Sequence, residues 1–206
     1  MKIIAVSVRR KHITAVKLED GNELLLDSDI VAEKELKPGG SIADPDALLY
    51  ESDLKRAKSR ALWYLSRGDL SKKTLSDKLY TAGFGETVTA AAVERMTELG
   101  LINDEKYARH LCEYLRDTAI SQKELYFKLI NKGIPSDLAK EVLEEEPDDE
   151  TDKILKLLKT KYVSKLQDEE GIKKVIAALQ RKGFSYYDIK DALKAYNEEI
   201  ECEEDS

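Results

Sequence analysis

Apolar positions recur through most of this chain with a period of 50 residues. Leu75, Leu79, Gly83 and Phe84 return as Leu125, Leu129, Gly133 and Ile134, and again as Val175, Leu179, Gly183 and Phe184. Val93, Leu143 and Leu193 fall in the same frame, and Lys73, Lys123 and Lys173 each precede the block by two residues. Apolar residues four apart share one helix face. The glycine that follows predicts a left-handed helix stop, and the next apolar residue folds back onto that helix. Self-similarity at a fixed period is the mark of stacked helical repeats, proteins that bind long partners.

From this pattern we expect helices over 46–67, 72–82 and 87–99, over 104–116, 122–132 and 136–146, and over 150–165, 169–182 and 186–199. Asp44 followed by Pro45 supplies an N-cap and a first-turn proline. Ser121 and Glu124 form a capping box, Gly100 ends the first repeat, and Asn103 caps the helix after it. The first residues read differently. Ile4, Val6 and Val8 alternate, as do Thr14, Val16 and Leu18, which predicts two strands; Asp20-Gly21 is a turn and Glu23–Asp27 a returning strand. A short helix from Asp29 to Leu36 is stopped by Lys37-Pro38-Gly39-Gly40.

The expected fold is therefore mainly α: three tandem three-helix repeats forming an elongated, curved stack, preceded by a small N-terminal β-rich extension. Its parts are the extension (1–45), repeat 1 (46–102), repeat 2 (103–148), repeat 3 (149–200) and an acidic tail (201–206). Pro147 stops a helix, so Glu145–Asp148 is expected to act as a hinge between repeats.

Charge changes the picture. The net charge is −7, yet residues 55–82 hold eight Lys/Arg against two Asp/Glu, and residues 152–184 hold nine against four. Acid is concentrated in Glu144–Glu150 and from Glu198 to Asp205. Two basic blocks separated by acid point to local contact with a polyanion. Ordinary solvated helix surface explains them equally well.

Helical geometry turns spacing into surfaces. On the first long helix Arg56, Arg60, Trp63 and Arg67 fall within about 60° of arc, whereas Leu54, Ala57, Ala61 and Leu65 lie between about 100° and 180° away from Arg56. An aromatic among guanidinium groups suits stacking of single-stranded bases, with the arginines on phosphates. The alternative is that Trp63 packs on the β-rich extension, ringed by the arginines. Lys73, Lys123 and Lys173 point away from the core at equivalent positions. They trace a basic track along the repeats, or simply occupy exposed helical positions that favour lysine.

Chemistry for catalysis is not apparent. His12 and His110 lack nucleophilic or metal-ligating company, and there is no phosphate-binding glycine loop. Cys112 and Cys202 have no metal-like spacing and suit a reducing compartment. The acidic runs lack calcium-loop spacing. Apolar runs are far shorter than the roughly 20 residues of a membrane span, and Met1–His12 is not a secretory signal. We expect a cytoplasmic monomer, not an enzyme, with no cofactor, no metal and no membrane contact.

Several segments together resemble the RecX family of RecA regulators. They are Ala61-Leu62-Trp63-Tyr64-Leu65-Ser66-Arg67, Ser71–Leu75 and Ala82-Gly83-Phe84 in the first repeat. Leu99-Gly100-Leu101-Ile102-Asn103-Asp104-Glu105-Lys106-Tyr107-Ala108 matches the family's junction between repeats, and Lys123-Glu124-Leu125, Leu129 and Lys132-Gly133-Ile134 match the second. The likeness covers about residues 55–200, and the β-rich extension is similar to one carried by some members. Two features depart from the pattern. Asn103 stands where aspartate is usual, and Thr118–Gln122 stands where glycine and basic residues often open the second repeat, which shifts weight to repeats one and three.

The resemblance implies a protein that binds the RecA–DNA filament and modulates it, mostly by inhibition of ATP hydrolysis, strand exchange and coprotease activity. It implies as partners the RecA filament and single-stranded DNA, with duplex DNA as a further class. The residues we expect to make those contacts are Arg56, Arg60, Trp63, Arg67, Lys72, Lys73, Lys123 and Lys173. The alternatives are a helical-repeat adaptor for a protein partner without nucleic acid, and a free-standing duplex-DNA-binding protein built from helix-turn-helix-like units.

Overall fold

A computed structural model describes residues 1–116, 118–145 and 149–204. The expected hinge at Glu145–Asp148 and the end of the acidic tail lie largely outside these residues. The chain forms two compact units, residues 1–103 and 104–206.

The first unit opens with an antiparallel sheet, β1 (Ile3–Arg10), β2 (Ile13–Leu18) and β3 (Glu23–Asp27), in the order β1-β2-β3. The register of β1 on β2 shifts between Ile3 and Ala5. That shift corrects the simple alternation expected of β1. Ile3 pairs with Leu18 and is buried, while Ile4 points to solvent. A bulge adds one residue to one strand and so exchanges which side chain faces the core. Val6 follows Val16 onto the inner face, but Val8 lies beyond the core and is exposed.

The sheet leads directly into α1 (Ser28–Glu33), whose N-cap Asp27 accepts from the Asp29 amide at 3.1 Å. The helix ends earlier than expected. Glu35 takes φ +49° and the Leu36 amide reaches back to the Val31 carbonyl, so the stop precedes the Pro-Gly-Gly sequence. A non-glycine residue in this region bears a steric penalty, here set against the satisfied carbonyls of the last turn.

Asp44 caps α2 (Pro45–Leu65), accepting from Ala47 with Pro45 in the first turn, as the sequence indicates. α3 (Lys72–Thr81) and α4 (Glu86–Glu98) complete the first three-helix group. Two cores result. Ile3, Val16, Leu18, Leu26, Ile30, Val31, Ile42 and Leu48 join the sheet to α1 and the start of α2. Ala57, Ala61, Leu75, Leu79, Val88, Ala92, Met96 and Ile102 fill the space between α2, α3 and α4. α2 thus serves both, its first turns under the sheet and its last under α3 and α4.

The second unit repeats the plan twice. α5 (Asp104–Leu115), α6 (Gln122–Asn131) and α7 (Ser136–Glu145) close around Ala108, Cys112, Leu125, Leu129, Ile134, Ala139, Val142 and Leu143. α8 (Glu150–Leu157), α9 (Glu169–Arg181) and α10 (Tyr186–Glu204) close around Ile154, Leu158, Tyr162, Val175, Leu179, Phe184, Ile189 and Ala192. The expected helix over 150–165 is not a single α-helix. It passes into a π turn at Leu158–Tyr162 and a 3₁₀ turn at Val163–Lys165. Ideal helical spacing would swing Tyr162 about 80° away from Ile154. The wider turn corrects that drift and keeps Tyr162 in the core. α10 runs beyond the expected 199, to Glu204, through part of the acidic tail.

The repeated helix stop behaves as the sequence requires. At Gly83 and Gly183, φ is +93° and +97°. The next amide, Phe84 or Phe184, donates to the carbonyl of Leu79 or Leu179 at 3.2 Å. This double reach-back satisfies carbonyls that a helix end otherwise leaves open. Ser121 caps α6 by accepting from Glu124 at 3.1 Å, but its hydroxyl also donates to the Lys182 carbonyl at 2.7 Å. The cap of the second helical group is thus bonded to the helix stop of the third.

Candidate nucleic-acid interface

The N-terminal sheet is fixed to α2 by contacts that sequence spacing does not reveal. The Asp27 amide donates to the buried Ser52 hydroxyl at 2.7 Å. One turn later Lys55 reaches Asp27 at 3.5 Å, Asp29 at 3.3 Å and Glu33 at 3.3 Å. Burial pulls the Lys55 pKa down, but the hydrogen bonds it donates to Glu33 and Asp29 and the nearby carboxylates outweigh it and hold the ammonium above its ordinary value. The β1–β2 turn is anchored as well. The His12 carbonyl accepts from the Ser28 amide at 3.2 Å, and Thr14 and Ser28 share a hydroxyl hydrogen bond at 2.9 Å.

These restraints hold the β1–β2 turn beside the middle of α2. Between them lies an open cleft of about 610 Å³, bounded by Arg10, Lys11 and His12 on the turn, Arg56, Arg60 and Trp63 on α2, and Phe84 after the α3 stop. Asp27 and Asp29 also border it, but both are engaged by Lys55.

Trp63 is 45% exposed. Packing on the β-rich extension does not bury it; the extension forms the facing side of the cleft. The Arg67 guanidinium stacks on the indole, 3.4 Å from the ring centroid, and donates to the Trp63 carbonyl at 3.3 Å. Arg60 sits 5.4 Å from the same ring. Arg56 departs from the expected trio. It pairs with Asp53 at 2.9 Å and lies 5.8 Å over Phe84, so its charge is partly engaged. Burial pushes the Asp53 carboxyl above its ordinary value, against the opposing pull of Arg56.

The remaining expected residues lie elsewhere. Lys72 and Lys73 are exposed on the first turn of α3, where Lys73 pairs with Asp77 at 2.8 Å. Lys123 is exposed in the first turn of α6 and would sit 3.2 Å from a side chain placed at Gly183. Lys173 is exposed on α9 and pairs with Glu169 at 3.7 Å. All point away from their cores, as the helical geometry requires. Surface pairs of this kind contribute little to stability, so these ammonium groups exchange partners readily.

Sequence reasoning missed Arg10 and Lys11. Their only local signal is the basic run Arg9-Arg10-Lys11 at a strand end. Among the described residues Arg10, Lys11 and Arg60 have no carboxylate partner. The site therefore combines three available cations with a half-open indole, a surface suited to phosphates and an unpaired base.

Comparison with known proteins agrees with this architecture. Residues 57–96 match the first three-helix domain of RecX, and residues 148–193 match the third. A regulatory protein RecX of Caldanaerobacter subterraneus subsp. tengcongensis is 30% identical over 141 residues, covering 68% of this chain and 71% of that one. The regulatory protein RecX of Bacillus subtilis is 28% identical, covering 98% and 78% of the two chains. The crystal structure of RecX from Lactobacillus salivarius superposes with a TM-score of 0.63 at 25% identity, covering 70% of this chain and 97% of that one. Among the described residues no helix is long and apolar enough to cross a membrane. With its helical groups at the matched domain positions and this identity across about two thirds of both chains, the protein belongs to the RecX family of regulatory proteins.

Proposed function

We propose that this protein binds the RecA–DNA filament and lowers its ATPase, strand-exchange and coprotease activities. The observation that carries the reading is the cationic cluster around Trp63, set in the helical group that matches the first RecX domain. A protein of net charge −7 gains little from concentrating unpaired cations around an exposed indole unless an anionic partner meets them. Separately cored helical groups offer several small surfaces to a repeating polymer. Contacts that are weak singly then add through a raised effective concentration.

The test is single-stranded-DNA-dependent ATP hydrolysis by the cognate RecA, with this protein titrated well below one copy per recombinase. Inhibition at such ratios is expected, because one bound molecule silences many subunits of a filament. Arg60→Glu combined with Arg67→Glu should abolish that inhibition. Full inhibition by the double variant removes these arginines from the interface, and no effect of the natural protein at any ratio overturns the filament reading.

A further inference from the structure

The N-terminal sheet forms half of a recognition surface. We propose that the cleft between the β1–β2 turn and α2 takes single-stranded nucleic acid, with one unpaired base on Trp63 and the flanking phosphates on Arg10, Lys11 and Arg60. The inference deepens the filament reading and rests on its nucleic-acid part; it adds a second wall to the site, contributed by residues outside the matched domains.

Three observations converge on it. The sheet is locked to α2 by the Asp27–Ser52 hydrogen bond and by Lys55, so the turn is held in place rather than left to sample positions. The carboxylates nearest the cleft are occupied by cations that point at them. Asp27 and Asp29 meet Lys55, and Asp53 meets Arg56, which leaves Arg10, Lys11 and Arg60 as the outward-acting charges. The apolar part of the lining is led by two aromatic rings, Trp63 and Phe84, with Ile13 and Ala82 beside them. An indole accompanied by guanidinium groups suits a base and its phosphates, since every base presents a π-face. An acidic peptide satisfies the charges but brings no flat π-face to the part of the indole that Arg67 leaves exposed. The size agrees: a cleft of about 610 Å³ lies within the range of pockets that hold drug-sized ligands, and a nucleotide is of that size.

The experiment uses the full chain and no recombinase. The protein has a single tryptophan, so its emission reports this cleft alone. Oligothymidylate should quench Trp63 emission through base stacking, whereas blunt duplex DNA and poly-glutamate at equal charge should not. Arg10→Ala with Lys11→Ala removes two phosphate contacts. For single strands the salt exponent is about 0.7 per contact, so the pair should reduce the slope by about 1.4 and weaken binding about 25-fold at 0.1 M salt. Arg9→Ala with Lys17→Ala removes the same charge from the same sheet outside the cleft lining and should change affinity less than about threefold. Unchanged circular dichroism in both variants confirms that folding is intact.

Equal losses in the two double variants, or no quenching by oligothymidylate, would overturn the proposal. Quenching by poly-glutamate as strong as that by oligothymidylate overturns it too and assigns the cleft to an acidic protein segment. These outcomes are separable from the recombinase assay. A chain that leaves RecA turnover untouched yet shows the 25-fold difference keeps the cleft and loses the filament reading; the reverse pattern loses the cleft alone.

Discussion

Gly183→Ala isolates the contact between the second and third helical groups, because Gly83 supplies a control built into the repeat. Both glycines end a helix at nearly the same φ, +97° and +93°. Alanine at either position meets the left-handed penalty of about 1–2 kcal/mol. The surroundings differ. A β-carbon at Gly83 would have nothing within 4 Å, whereas at Gly183 it would lie 2.6 Å from Ser121 Oγ and 3.2 Å from Lys123 Cβ. Ser121 has to turn away, and its hydroxyl then loses both the Glu124 amide it caps and the Lys182 carbonyl it reaches. Loss of a serine cap costs about 1 kcal/mol, and a part-buried carbonyl left without its donor about 1 more. Gly183→Ala should therefore destabilise its unit by about 3–4 kcal/mol, against about 1–2 kcal/mol for Gly83→Ala in the other. Hydrogen exchange read by mass spectrometry measures each unit separately. Peptides from α6, α9 and α10 should lose protection in the first variant, and peptides from α2 to α4 should lose less in the second. Equal losses would refute the reasoning, since they would leave the Ser121–Lys182 contact without energetic weight.

Two other perturbations probe the first unit. Thr89 is fully buried on α4 and its hydroxyl is without a hydrogen-bond partner among the described residues. Thr89→Val removes that orphan in nearly the same volume and should raise stability by about 1 kcal/mol, read as an upward shift of the urea midpoint with an unchanged slope. Asp53 has a folded pKa above the ordinary 3.8, so the folded state binds its proton more tightly than the unfolded chain. That contribution is fully present below 3.8 and is lost as pH rises through the folded value. Asp53→Asn should flatten this falling limb on the alkaline side of pH 3.8 in thermal melts. It also releases Arg56 toward the cleft, and one added phosphate contact should tighten oligothymidylate binding about fivefold at 0.1 M salt.

Most of the helical plan was legible from local chemistry. The period of 50 places Leu75, Leu125 and Val175 at the centres of three cores, and each is buried. Asp44, Ser71, Ser121, Asp149 and Asp168 each accept the backbone amide that starts a helix. Gly83 and Gly183 stop helices because only a residue without a β-carbon enters that conformation freely. Exposure of the repeated lysines likewise follows from helical spacing alone. Caps, stops and faces act over three or four residues, so sequence by itself determined them.

Only the tertiary structure decided the rest. The bulge at Ile3–Ala5 depends on how β1 meets β2, and it buries Ile3 where alternation favoured Ile4. The π turn at Leu158–Tyr162 arises because the core around α8 needs Tyr162 where ideal winding would not bring it. Arg56 left the tryptophan cluster for Asp53 and Phe84, a choice the helical wheel cannot make because all three lie within reach. Arg10 and Lys11 joined Trp63 because Ser52 and Lys55 hold the sheet against α2 across some 25 residues of chain. A site made of such contacts has no local signature: each of its residues is ordinary in its own segment, and only packing sets the charges around one cleft.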